Sequence, residues 1–190
     1  MMLRPRSLKS LGWRTGLALA SLIISAWAEA QPADPADALL DDPFLQAQRE
    51  RFRSALPRAR AGARDAVDAV ADDYALKPYL EAAWLGADLD ARSPEQINAF
   101  LHRYGDALPA RRLRYRWLLQ LAKAERWEDY LSAWPGVSRP DTTLHCHQLT
   151  ALLRTGKGSP AQLEDAGRTL WLVGSSQPEA CDPLFRWLIA

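Results

Sequence analysis

The chain has 190 residues, with 48% hydrophobic and 25% charged side chains, two cysteines and eight tryptophans. Its 24 Lys and Arg against 23 Asp and Glu give a formal net charge of +1, which leaves no basic footprint for nucleic acid and no charge reason to bind an anionic membrane.

Taken from the N-terminus, Arg4, Arg6, Lys9 and Arg14 precede the uncharged apolar run Gly16 to Ala28. That run is shorter than the roughly 20 residues a membrane span needs, and Ala26-Trp27-Ala28 or Ala28-Glu29-Ala30 can serve as a cleavage site. Residues 1–30 are therefore expected to be a secretory signal peptide, and an uncleaved anchor is the competing reading. Without those residues the chain carries 20 basic and 22 acidic side chains. Residues 31–40, rich in Pro, Ala and Asp, read as a flexible linker.

Residues 41–190 read as all-α. Apolar side chains recur at helical spacing, and strand signals are nearly absent. Ala66, Val67, Val70 and Tyr74 mark one stripe; Leu80, Ala83, Trp84 and Ala87 the next. Ile97, Phe100, Leu101 and Tyr104 follow, with Ser93 as N-cap, Pro94 at the first helical position and Gly105 as the stop. Leu113, Trp117, Leu118 and Leu121 line a longer helix, and Trp127, Tyr130, Leu131 and Trp134 a short one that Pro135-Gly136 ends. Leu149, Leu152 and Leu153 run up to Gly156; Leu163, Ala166, Leu170 and Trp171 run up to Gly174; Leu184, Phe185 and Leu188 carry the pattern on. Asp182 reads as the cap of that last helix, with Pro183 in its first turn. The stripe beginning at Ile97 maps loosely onto the one at Trp127, offset by 30, and onto the one at Leu163, a further 36 along. Short connections favour antiparallel neighbours, and stacked pairs of this size predict an α-superhelix, or solenoid, with a compact bundle as the alternative. The last stripe runs into Ala190 without a cap, which predicts the front part of a longer protein.

Two cysteines in an exported chain are an even count in an oxidising compartment. Cys146 shares a helical face with Leu149 and Leu153, and Cys181 with Leu184, Phe185 and Leu188, so a Cys146–Cys181 disulfide is expected. His145-Cys146-His147 invites a metal reading, but neighbours on a helix point about 100° apart and cannot converge on one ion; no metal site is assigned. Arg111, Arg112, Arg114 and Arg116 surround one helix. They read either as a clamp for anions, such as the carboxylates of cell-wall peptides, or as a solvated face opposite Leu113, Trp117 and Leu121, and the solvated face is preferred. The tryptophans fall on core stripes. Asp41-Asp42 and Asp72-Asp73 sit at expected helix ends, the second pair late in its helix. With no Gly-x-Ser-x-Gly, phosphate loop or zinc-protease motif in the sequence, no catalytic residue and no cofactor is assigned.

The stretch Leu170-Trp171-Leu172, Gly174, Ser176-Gln177-Pro178, Ala180-Cys181-Asp182 and Leu184-Phe185 resembles a recurrent run near the N-terminus of the soluble lytic murein transglycosylases, with Ser175 where that family has lysine. Asp72 to Leu85 is similar to the family's Tyr-Pro-Leu-Tyr-Pro-Tyr-Leu-Glu run. Leu108 to Pro135 is similar to its Leu-Pro, Arg, Leu-Ala, Trp run, and Cys146 takes the place of its earlier cysteine. The resemblance covers roughly residues 40 to 190. It implies a periplasmic protein acting on peptidoglycan, where the family cleaves the β-1,4 bond between N-acetylmuramic acid and N-acetylglucosamine to a 1,6-anhydro product. It also implies a U-shaped superhelix of paired helices ahead of a lysozyme-like domain that holds the catalytic glutamate. This chain matches only the start of that superhelix, so it is expected to lack the catalytic domain, to be inactive alone, and to have the missing C-terminal part of the same protein as its partner. The competing reading is a periplasmic helical-repeat adaptor that binds protein partners.

Overall fold

The computed structural model describes residues 42–190; the readings of a signal peptide at 1–30 and a linker at 31–40 lie outside the described residues. Pro43–Ala190 forms one unit. Its elements are α1 (Pro43–Arg60), a 3-10 helix (Arg64–Ala69), α2 (Lys77–Leu85), α3 (Pro94–Tyr104), α4 (Leu108–Lys123), α5 (Trp127–Ala133), α6 (Thr142–Arg154), α7 (Pro160–Trp171), a 3-10 turn (Glu179–Cys181) and α8 (Asp182–Leu188). No strand occurs among the described residues, and none of the described helices is long and apolar enough to cross a membrane.

Local chemistry accounts for several boundaries. Ser93 caps α3 through a reciprocal capping box with Gln96, Pro94 opens the helix, and Gly105 at φ +49 closes it. Asp141 caps α6 by accepting from the Leu144 amide at 2.8 Å, and Ser159 caps α7 by accepting from Gln162. Gly136 and Gly156 take positive φ just beyond α5 and α6, where a side chain would be strained.

The core is a string rather than a ball. Ala55, Ala59, Ala66, Val70 and Leu80 bury the contact of α1, the first 3-10 helix and α2. A larger cluster, centred on Trp117 with Phe100, Leu113, Leu118 and Tyr130, joins α2 through α6. Leu149, Leu163 and Leu184 join α6, α7 and α8. Helices pack on elements one or two places along the chain, α2 on α4, α4 on α6 and α6 on α8. That nearest-neighbour pattern is what a solenoid of antiparallel pairs requires, and the fold is all-α and superhelical.

Several elements differ from the sequence expectation. Helix α1, with 18 residues the longest described, is not among the expected elements. The stripe at Ala66 to Tyr74 forms a short 3-10 helix followed by turns, because consecutive Ala and Val positions bury against α1 without needing a full helical face. Asp72 and Asp73 consequently lie in a turn rather than late in a helix, and Asp72 pairs with Lys77 at 2.5 Å. Asp182 is the first residue of α8, whose N-cap is Cys181 and makes no side-chain cap bond. Trp171 is 52% exposed rather than core; its ring packs on Phe185 in a T-shaped arrangement, with centroids 4.8 Å apart.

Candidate functional site

Helix α4 carries Arg111, Arg112, Arg114 and Arg116 within two turns, and the structure separates them. Arg111 and Arg112 are exposed. Arg114 is buried, with 6% of its surface accessible, and departs from the expected solvated face, on which Arg111, Arg112 and Arg116 are exposed. Its guanidinium lies on the α-carbon of Gly136, where an added Cβ would stand 2.9 Å from Cζ, and its Nη1 donates to the Gly136 carbonyl at 2.8 Å. Arg116, two residues on and therefore across the helix, donates from Nη2 to the Gly86 carbonyl at 2.6 Å. The pair clamps two loops from opposite sides of α4: the end of α2 and the connection after α5. Gly86 and Gly136 are the residues that let a guanidinium come that close.

The Arg114 side opens into a groove of about 320 Å³ between the start of α4 and the α5–α6 connection. Arg111, Arg112 and Arg114 line it, and so does Arg139, which the sequence reading did not single out. Arg116 does not; it belongs to a different surface that includes Arg60 and Tyr79. Leu118, Val137 and Leu144 supply an apolar floor, with Tyr115 beside them. The Tyr115 hydroxyl donates to Asp141 at 3.0 Å, so that carboxylate is shared between a phenol and the cap of α6. No lining residue is acidic. Burial pushes the Arg114 guanidinium down from its ordinary value, and Asp106 acts weakly in the opposite sense. Arg114 Nε has no hydrogen-bond partner. Proximity in sequence pointed to this helix, but nothing local could have assigned Arg139 to the same groove.

Cys146, on α6, and Cys181, in the second 3-10 turn, are both fully buried and are joined as a disulfide with Cα atoms 4.8 Å apart. His145 and His147 flank Cys146, whose sulfur is in that bond. His147 packs its ring near Trp127 and Tyr130, and burial lowers its pKa from 6.5. His102 is exposed.

The half-buried Glu81 of α2 accepts from the Tyr104 hydroxyl at 3.0 Å and pairs with Arg103 at 3.4 Å, tying α2 to α3. Asp72 is held below its usual range by its hydrogen bond and charge contact with Lys77. Glu95 is held low by its own backbone N–H and by Ser93. Both shifts run opposite to what a general acid needs.

No family model matches the chain. Over 114 residues, 60% of its length, the chain is 36% identical to the soluble lytic murein transglycosylase of Escherichia coli K12, and equally so to that of Salmonella typhimurium LT2. It spans 17% of the length of either protein. Among solved structures it is similar to the 70-kDa soluble lytic transglycosylase of Escherichia coli, with a TM-score of 0.62 and 30% identity over 76% of this chain and 24% of the other. A complex of the 70-kDa soluble lytic transglycosylase with bulgecin A gives a TM-score of 0.55 and 29% identity over 76% of this chain and 22% of that one.

Proposed function

We propose that residues 41–190 are the opening segment of the superhelical domain of an exported, periplasmic lytic transglycosylase, and that the segment is structural: it builds part of the wall that holds or guides peptidoglycan for a catalytic domain elsewhere in the same protein. The observation that carries this is the similarity to soluble lytic murein transglycosylase, 36% identity over 114 residues, together with a shared helical stack at a TM-score of 0.62. The basic and then apolar pattern of residues 1–30, read as an export signal, supports a periplasmic location.

One feature of the chain supports a structural role. At the α7–α8 end, Trp171, Leu172 and Ile189 are 52%, 78% and 74% exposed and line an open cavity of about 430 Å³ together with Trp187. We assign this as the stacking face for further helices of the same protein, since terminal faces of solenoids need a cap.

The test is to incubate the purified chain with cell-wall sacculi and analyse the supernatant by mass spectrometry. No 1,6-anhydromuropeptide above a buffer control is expected; release would move the chemistry into this segment and end the structural reading.

A further inference from the structure

We infer that the groove between the start of α4 and the α5–α6 connection binds a carboxylate carried on a short apolar body, such as the C-terminal residue of a peptide. Arg114 carries the argument. Its side chain is more than nine-tenths buried and lines the groove, yet its one recorded hydrogen bond goes to the Gly136 carbonyl and its Nε has no partner. A buried arginine is ordinarily matched by a carboxylate, because removing the charge from water costs several kcal/mol unless an anion offsets it. None of the groove's lining residues supplies that anion. Asp141 is engaged with Tyr115 and the Leu144 amide, and Asp106, whose charge reaches Arg114, forms no hydrogen bond or ion pair with it.

Stapling the 134–138 connection explains why Arg114 reaches Gly136. It does not explain why Arg111, Arg112 and Arg139 line the same groove without an acid among them. Those three are exposed, so water keeps their charge cheap; the cost falls on Arg114. The groove also begins at the first turn of α4, whose N-cap Ala107 offers no side-chain acceptor to the Leu108 and Ala110 amides. The arginines and the helix end favour negative charge there, and Asp106, next to Ala107, opposes them in part.

The apolar floor of Leu118, Val137 and Leu144 narrows the class. A bare inorganic anion leaves that floor wet. A carboxylate with a methyl or larger group beside it satisfies both the guanidinium fork and the floor. At about 320 Å³ the space suits one or two residues, not an extended strand.

The experiment titrates the isotopically labelled full chain with four probes: N-acetyl-D-alanine, N-acetyl-L-alanine, N-acetyl-D-alanine amide and inorganic phosphate. NMR shifts are followed at the Gly136 and Val137 amides. Saturable shifts are expected with at least one of the two carboxylates and none with the neutral amide. Binding should weaken about ten-fold or more in the double variant Arg111→Ala/Arg139→Ala, whose exposed sites leave the fold intact. Preference for the D form assigns the ligand to cell-wall peptide, and preference for the L form to a protein C-terminus. The inference is overturned by an absence of saturable shifts with both carboxylates, by equal binding of the neutral amide, by unchanged affinity in the double variant, or by phosphate binding as tightly as either acetylalanine. Because the probes are small and the readout is on the chain itself, the result is independent of whether the chain degrades sacculi.

Discussion

In the middle of the stack, Trp117 at 2% exposure sits among Phe100, Leu113, Leu118 and Tyr130, in a buried cluster drawn from α2 to α6. At the C-terminal end, three leucines, Leu149, Leu163 and Leu184, form the buried contact of α6, α7 and α8, and Trp171, Leu172 and Ile189 face outward. The end with the smaller buried cluster is the one crossed by the Cys146–Cys181 bond. Apolar burial stabilises in proportion to area, whereas a disulfide stabilises chiefly by restricting the unfolded chain, so the bond contributes even where little area is buried. The two regions share α6, which presents Leu144 and Ala151 to the middle and Leu149 to the end.

Trp117→Ala is the most damaging change expected, at about 3–5 kcal/mol, a large fraction of a typical domain's stability. Urea denaturation should show both regions lost together, because α6 loses its platform. A loss of unfolding free energy below about 1 kcal/mol would place the centre of stability elsewhere.

Reducing the disulfide comes next. The bond spans 35 residues, a loop worth about 3–4 kcal/mol in the chain-entropy account. The effect should be regional, with hydrogen exchange accelerating in α8 and the second 3-10 turn well before α4. If α4 amides lose protection equally, the division drawn between the regions fails.

Two glycines sharpen the contrast. Gly136 and Gly174 both take positive φ, at +91 and +73, but only at Gly136 would a Cβ strike a neighbour, the Arg114 guanidinium. Gly174→Ala should cost the left-handed backbone penalty of about 1–2 kcal/mol. Gly136→Ala should add an overpacking term of about 1–3 kcal/mol. Equal melting temperatures for the two variants would show that Arg114 does not pack on Gly136 in solution.

Tyr130→Phe removes one hydrogen bond, from the buried hydroxyl to the Leu144 carbonyl at 2.8 Å, and should cost about 1 kcal/mol by thermal melting. Burial and the low-dielectric surroundings keep that phenol protonated well above the usual range.

The smallest effect is at His147. Burial lowers its pKa below 6.5, with Asp141 opposing, so the fold prefers the neutral ring. Its contribution is complete above pH 6.5 and is lost as acid takes the pH down through the lowered folded value. His147→Gln should flatten the fall in melting temperature between about pH 7 and about pH 5; an unchanged profile would assign that fall to other groups.

What could be read before the structure was what depends on near neighbours. The α3 box of Ser93, Pro94 and Gln96 and the stop at Gly105 need only residues within one turn. The stripes at Ile97, Leu113 and Trp127 needed only helical spacing, and all three bury. Helix α1 is harder to read because the positions it buries most fully, Gln48, Ala55 and Ala59, are small or polar and dilute the stripe of Phe52 and Leu56; Gln48 accepts from the Ala71 amide, 23 residues away. Of the candidate site, the helix bearing the arginines was visible, but the choice among them was not.

By itself the sequence determined an all-α chain of short amphipathic helices, because a 3.6-residue repeat of apolar side chains and its punctuating Ser, Pro and Gly act over a few residues. Tertiary structure decided that Arg114 is buried and Arg111 is not, that Arg139 joins them, that Trp171 faces outward, and that Cys146 lies 4.8 Å from Cys181 between Cα atoms. Each of these depends on a backbone carbonyl, a glycine or a helix that lies many residues away in the chain. No periodicity within one helix encodes which distant loop will be placed against it.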